Sequence, residues 1–208
     1  MTIRDTVARH SDYDETGDFI PTPPWATRVL FGEVAPSLAH YPKQSFYDPA
    51  AGAGHMMDVF REHSPFVFGT DIEPRRDDVK KLDYWGDEPG PYEDADHIIS
   101  NPPYRNIEKF ARRALNSSSQ TVSLLTRIQF LESQSRHALF KEFRPIRVAV
   151  FSDRIPFKTG VVVKKAPKMF THIWVYWSKL SYRSHTEMTW IRPDAQKLYE
   201  KDSDYEPR

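Results

Sequence analysis

The sequence predicts a mostly parallel α/β sheet built as one domain, and three observations carry that expectation. Short apolar, β-prone runs alternate with helical patterns along residues 45–177. The first run ends in a turn of small residues, Asp48-Pro-Ala-Ala-Gly52-Ala-Gly54. The second run ends in Asp71, 17 residues past Gly54. In doubly wound folds a glycine turn after one strand and an acid at the end of the next belong together. A length of 208 residues suits one domain with a real core, and no internal repeat is visible.

Taken in order, residues 1–18 are polar, with Asp12, Asp14, Glu15 and Asp18, and read as an N-terminal arm. Phe19-Ile-Pro-Thr-Pro-Pro-Trp25 is too rich in proline for helix or strand. A helix is expected over 25–38, a strand over 45–48 ending in the glycine turn, and a helix over 56–63. Residues 66–71 form the second strand. Residues 77–82 give a short turn or helix, and 83–94 a polar loop. Residues 95–100 form a strand that delivers the chain to Asn101. Ile107, Phe110, Ala111, Ala114 and Leu115 share one helical face. A strand over 121–125, a helix over 130–143 stopped by Pro145, and strands over 147–151 and 170–177 complete the domain, 19–192. Residues 193–208 are charged, poor in apolar side chains, and read as a frayed polar tail.

Composition narrows the chemistry. With no cysteine, disulfides and thiolate metal sites are excluded, and a reducing cytoplasm is the expected location. The eight histidines are scattered without metal-ligand spacing, so no metal is expected. His97, within a predicted strand, reads as a packed side chain. No apolar run is long enough to span a membrane, and the N-terminus lacks a signal peptide's apolar stretch. The net charge is zero but unevenly placed. Residues 1–100 hold 9 Lys+Arg against 19 Asp+Glu, and residues 101–208 hold 20 against 10. A polyanion approaching the second half would fit this polarity.

Two motifs carry the chemistry. Gly52 and Gly54 let the backbone approach a ligand closely, and the helix start beyond them presents free N–H groups. Asp71 then stands where a ribose diol is gripped, and Asp83 where an adenine amino group would lie. The second motif is Asn101-Pro-Pro-Tyr104 at a strand end. Its prolines remove two N–H donors and leave an acceptor-rich rim ended by an aromatic plate. Such a rim suits an exocyclic NH₂ held in line with an electrophile while its ring stacks on Tyr104. That chemistry needs positioning more than a strong base.

With these residues the chain resembles a class I S-adenosylmethionine-dependent methyltransferase, most closely the DNA adenine-N6 methyltransferases with an Asn-Pro-Pro-Tyr motif. The resemblance covers almost all of residues 19–177. It implies a single-domain Rossmann-like fold, with a seven-stranded sheet whose last strand is antiparallel and helices on both faces. It implies S-adenosyl-L-methionine as cofactor, with Phe19, Pro21 and Thr22 near its methionine part. Asp48, Ala50, Gly52 and Gly54 would form its loop, Asp71 and Ile72 would lie at the ribose, and Asp83 at the adenine. It implies Asn101, Pro102, Pro103 and Tyr104 as the catalytic motif. The loop ends in His55 rather than a large apolar residue, and no separate target-recognition domain is visible, which points to short or relaxed specificity. A restriction-modification or phage setting fits such an enzyme.

A basic hairpin or loop over 152–169 supplies the residues expected to meet the polymer: Arg154, Phe157, Lys158, Lys164 and Lys165, joined by Arg105 after the clamp. A base inside a duplex cannot reach Tyr104, so it must be flipped or presented on a single strand. DNA is the expected partner, no membrane is expected, and a homodimer would let a small chain borrow specificity. Other readings stay open. An RNA enzyme acting on adenine or guanine N2 uses the same clamp. A protein-glutamine methyltransferase would grip a side-chain amide, a cytosine-N4 enzyme more often has Ser at the clamp's head, and an accessory subunit would have lost the intact glycines, Asp71 and Asn101.

Overall fold

A computed structural model describes residues 19–40, 42–86, 90–181 and 183–206; the expected arm at 1–18 lies outside them. Pro24 opens helix α1 (Pro24–Val29), where its fixed φ suits a helix start and its missing N–H costs nothing. A π turn, Leu30–Val34, follows, then a 3-10 turn, Pro36–His40. The single helix expected over 25–38 is therefore interrupted, at a proline that has no N–H to give. Next come β1 (Phe46–Asp48), α2 (His55–Arg61) and β2 (Val67–Asp71). The turn or helix expected at 77–82 instead contributes β3 (Lys80–Lys81), a two-residue strand parallel to β2. Then follow β4 (His97–Ser100), α3 (Ile107–Ser117) and β5 (Thr121–Arg127). The helix expected over 130–143 is split into a 3-10 turn, Ile128–Leu131, and α4 (Gln134–Glu142). Between them Ser133 has φ 132°, and its Oγ accepts from Arg136 N to cap α4. The chain ends with β6 (Arg147–Phe151), β7 (His172–Ser178), β8 (Glu187–Ile191), α5 (Ala195–Tyr199) and a 3-10 turn, Asp202–Tyr205.

The strands form one sheet in the order β3-β2-β1-β4-β5-β7-β6-β8. Only β7 runs antiparallel to its neighbours, β5 and β6. The fold class is the expected one, but the described residues carry eight strands rather than seven. The strand expected to be last is followed by β8, which pairs parallel with β6. Its sequence hides it: as an edge strand it leaves Met188 and Trp190 half or more exposed and reads as polar surface.

Central strands are covered on both faces, and successive residues feed opposite cores. Ile99, Leu125, Ala149 and Trp174 pack with α1, α2 and α5. Their sequence neighbours Ile98, Leu124, Val148 and Ile173 pack with α3 and α4.

Of the two forms expected for 152–169, hairpin or loop, the segment takes the loop: it holds no strand and is pinned where Gly160 N donates to Phe19 O (2.8 Å). One sequence expectation needs correction: the 193–208 tail is not frayed over its described part. Asp204 is buried and takes both guanidinium nitrogens of Arg28 (2.8 and 2.9 Å), and Arg28 also holds Glu62 and Tyr199 O. A charged segment can dock in this way because its charges are paired, which composition does not reveal.

Candidate active site

The site lies at the carboxyl ends of β1, β2 and β4, where the strand order reverses between β1 and β4. β1 leads into the glycine turn. Gly52 has φ +52° and Gly54 φ +73°. Gly52 N donates to Asp71 Oδ2 (2.7 Å), and Glu73 N donates to Asp71 Oδ1 (2.9 Å). The turn and the end of β2 are thereby locked together. Burial pushes the Asp71 carboxyl above its ordinary range.

A cavity of about 340 Å³ opens over this turn, at the lower end of the range for cofactor-sized ligands. Of the residues singled out for a cofactor, Phe19, Pro21, Thr22, Asp48, Ala50, Gly52, Asp71, Ile72 and Asp83 line it. Gly54 does not. It starts α2, and a Cβ there would overlap the Arg76 guanidinium, which is paired with Asp58 and Asp78. Its glycine is explained by packing. Phe19 roofs Gly52, and a Cβ at Gly52 would overlap that ring. Arg75 lies over the other part of the same ring, 4.7 Å from its centroid. Arg75 and Trp85 also line the cavity, and sequence reasoning singled out neither for it. Asp83 Oδ1 accepts from Trp85 N (2.8 Å), which folds the loop so that both face inward.

Asp48 is 1% exposed, and its Oδ1 accepts from Ser100 Oγ (2.7 Å) and Ala50 N (3.1 Å). Burial pushes its pKa up to about 7, with the Asp71 charge adding to the rise against the two hydrogen bonds. A carboxyl so placed favours a cation in the cavity beside it.

The clamp follows β4. Asn101, Pro102, Pro103, Tyr104 and Arg105 all border the same cavity. Asn101 Nδ2 donates to Thr22 Oγ1 (3.0 Å), which sets the amide plane. Asn101 Oδ1 is buried with no hydrogen-bond partner. A buried acceptor left open costs free energy, and such atoms concentrate where a ligand supplies the missing donor.

Beyond Tyr104 lies a second cavity of about 370 Å³, sharing Tyr104 and Ile20 with the first. Phe157 and Lys158 line it, as do Arg127, Met169, Phe170 and His172, which sequence reasoning did not bring to the site. The last four arrive through tertiary structure. Arg127 ends β5, and the antiparallel β7 starts beside it, with Arg127 paired to His172 in the ladder. Of the other expected polymer contacts, Arg105 borders the first cavity, and Arg154, Lys164 and Lys165 line neither. Arg154 donates to Lys168 O (3.2 Å), and Lys164 pairs with Glu200 (2.8 Å) under the docked C-terminal segment. Lys165 is exposed. His97 is packed as expected, bonded to Gln44 and Thr121, with its pKa pulled down to about 4 by burial. Trp25 belongs to the core. Among the described residues no metal-ligand cluster occurs, and no helix is long and apolar enough to cross a membrane.

No family model matches the chain, and no curated protein matches it in sequence. Solved structures match it in fold. One from Listeria monocytogenes, assigned as a class I S-adenosylmethionine-dependent methyltransferase, superposes with a TM-score of 0.60 at 10% identity, over 85% of this chain and 68% of that one. A type I restriction-modification methyltransferase subunit from Streptococcus thermophilus gives 0.57 at 14% identity, over 86% of this chain and 51% of the other. A protein from Pyrococcus horikoshii assigned as an RNA methyltransferase gives 0.51 at 16%, over 78% and 88%. The chain spans about half the length of the restriction-modification subunits it resembles. At these identities the likeness is one of fold: the sheet and its helices are those of class I S-adenosylmethionine-dependent methyltransferases.

Proposed function

We propose that this protein transfers a methyl group from S-adenosylmethionine to an exocyclic amine, the N6 of adenine in DNA, taken from a flipped or single-stranded base. The observation that carries the reading is Asn101: it lines the first cavity, its amide is oriented by Thr22, and its Oδ1 is buried without a hydrogen-bond partner.

The residues of the first cavity fit the cofactor. Gly52 leaves room only because it lacks a Cβ, Asp71 and Asp83 offer acceptors to a ribose and an adenine, and Ile72 offers a flat apolar side. Asp48, buried and without a cation of its own among its bonded partners, favours a positively charged ligand. S-adenosylmethionine supplies an electrophilic methyl on a cationic sulfur.

The chain's own part is orientation. Asn101 Oδ1 and the Pro102 carbonyl accept the amine's two hydrogens and draw electron density onto its nitrogen. Tyr104 offers a face for the ring. The shared wall at Tyr104 and Ile20 lets a base in the second cavity present its amine to the first. Extrusion from a duplex costs a few kcal/mol, which stacking on an aromatic face partly offsets. Arg105 and Lys158, both exposed at the cavity mouths, are placed to meet flanking phosphates.

The test is transfer of labelled methyl from S-adenosylmethionine to duplex DNA, single-stranded DNA, RNA and a glutamine-bearing protein, with nucleoside analysis, for wild type, Asn101→Ala and Tyr104→Ala. The expected result is N6-methyladenine in DNA, with turnover reduced about 10²–10³-fold in Asn101→Ala and cofactor affinity kept in both variants. Label in RNA or protein but not in DNA would overturn the substrate. Equal loss of cofactor binding in both variants would make the clamp a structural turn.

A further inference from the structure

The second cavity already contains a planar group in stacking position. The Arg127 guanidinium carbon lies 4.2 Å from the centroid of the Tyr104 ring and 3.8 Å from that of Phe170. The Tyr104 hydroxyl and the Phe170 backbone carbonyl both meet one imidazole. His172 Nδ1 lies 3.2 Å from Phe170 O, and a carbonyl can only accept, so Nδ1 carries the hydrogen. Burial and the Arg127 charge pull His172 down to about 3, so it is neutral and Nε2 is an acceptor. The Tyr104 hydroxyl therefore donates to Nε2 at 3.0 Å. His172 is 3% exposed, a buried post for the Tyr104 hydroxyl and the Phe170 backbone.

The Tyr104 ring is thus held in place by the fold, and a flat, delocalised cation lies over both it and the Phe170 ring. A purine is also flat and delocalised, and it stacks on aromatic faces more strongly than a solvated guanidinium does. The lining of this cavity includes two cations, Arg127 and Lys158, and no carboxylate, so a nucleotide's phosphate is not repelled there. Arg127 sits at the end of β5, next to the irregular turn that follows, and has a flexible stem by which its head can move.

We infer that Arg127 is a stand-in for the target base: it fills the Tyr104–Phe170 slot in the ligand-free protein and is displaced when a base enters. This rests on the base-methylating reading above and adds to it a residue that competes with the substrate for the catalytic tyrosine. The consequence is selective. The cost of displacing the guanidinium is common to every base, so it removes weakly stacking bases from the slot while the purine advantage remains that of their own stacking. The displaced cation then turns to a phosphate of the strand that delivered the base.

The test uses the full chain and two labelled decamers, one of oligodeoxyadenylate and one with the same phosphates but abasic tetrahydrofuran units. The ratio of their dissociation constants, abasic over adenylate, isolates the part of binding that comes from the bases. Arg127→Gln and Arg127→Lys are compared with wild type, with melting temperature and S-adenosylmethionine affinity checked for each. The expected result is a ratio above one in wild type that rises roughly three- to tenfold in Arg127→Gln, the size of one cation–π interaction that the competitor no longer makes, and rises less in Arg127→Lys, whose ammonium can still lie over a ring. A ratio above one in wild type that falls or stays level in the variants overturns the inference and makes Arg127 a wall on which the base rests. A ratio of one in wild type overturns the base-binding reading itself. If Arg127→Gln fails to fold, Arg127→Lys still gives the direction of the change.

Discussion

Gly52→Ala separates two costs that the structure places at one residue. The first is in the backbone. Gly52 has φ +52°, and an L side chain in that left-handed region costs about 1–2 kcal/mol. For a chain of this length each kcal/mol lowers Tm by about 2–4 °C, so a fall of roughly 2–8 °C is expected. The second cost is in the cavity wall. The new Cβ would overlap Phe19 Cε2 and stand 3.1 Å from Cδ2, so the ring must swing out. That separates it from Arg75, 4.7 Å from the ring centroid, an interaction worth about 0.5–1 kcal/mol. S-adenosylmethionine should therefore bind about two- to fivefold more weakly. Calorimetry and thermal melting of Gly52→Ala, Phe19→Ala and the double variant close the cycle. Phe19→Ala should raise the dissociation constant similarly with little change in Tm. The double variant should bind like either single one, because both remove the same ring, while keeping the low Tm of Gly52→Ala. Affinity losses that simply add would show that the ring is not what alanine displaces. An unchanged Tm would show that the turn carries no strain.

Three further outcomes follow from particular contacts. Asp48 is held at about 7 against an ordinary 3.8; a carboxyl with a raised folded pKa gives stability that is full below about pH 4 and lost as pH rises through about 7. Asp48→Asn lacks this loss, so its Tm should gain on wild type between pH 4 and 7 and then run level; a constant difference across that window would refute the shift. Asp204→Ala removes two charged hydrogen bonds from Arg28, which keeps Glu62 and Tyr199 O. A loss of about 2–3 kcal/mol, or roughly 4–12 °C in Tm, is expected, and a change under about 1 °C would mean that the C-terminal segment is not docked in solution. Lys158→Glu should weaken DNA binding and reduce the slope of log affinity on log salt by roughly one. Lys164→Glu should instead lower Tm by breaking the pair with Glu200; a salt slope changed by Lys164 and not by Lys158 would reverse the assignment.

Sequence reasoning reached most of the first cavity but only Tyr104, Phe157 and Lys158 of the second, for a physical reason. The glycine turn, Asp71 and the Asn101–Tyr104 clamp are each read from a strand end and the few residues after it, so local pattern is enough. Of the residues expected at the cofactor only Gly54 is turned away, because a glycine at a helix start can answer to packing as well as to a ligand. The second cavity is assembled by pairing. Arg127 and His172 are 45 positions apart and meet only because β7 runs antiparallel beside β5. Nothing in either local sequence records that register. Lys164 lies outside both cavities for the opposite reason: its charge was legible, but its partner Glu200 lay in a segment whose composition suggested no fold.

The same strand reversal explains why charge that is separated along the chain becomes charge separated in space. β1, β2 and β3 lie to one side of β4, and β5, β7, β6 and β8 to the other. Within the acidic first hundred residues, 46–86 and 90–100 build the half of the sheet that carries the first cavity, where carboxylates suit ribose hydroxyls and a cationic cofactor. The basic remainder builds the half that carries the second cavity. Had β7 been parallel, its start would lie at the opposite edge, and the 152–171 connection would have to cross the sheet. Because it is antiparallel, that connection stays at the edge where β4 and β5 end, and Phe157, Lys158, Phe170 and His172 come to Tyr104. A tyrosine with a cation-tolerant cavity on one side and an anion-tolerant cavity on the other is placed to join two ligands of opposite charge. Methyl transfer from a cationic donor to a polyanionic strand has that charge requirement, which a small neutral acceptor would not impose.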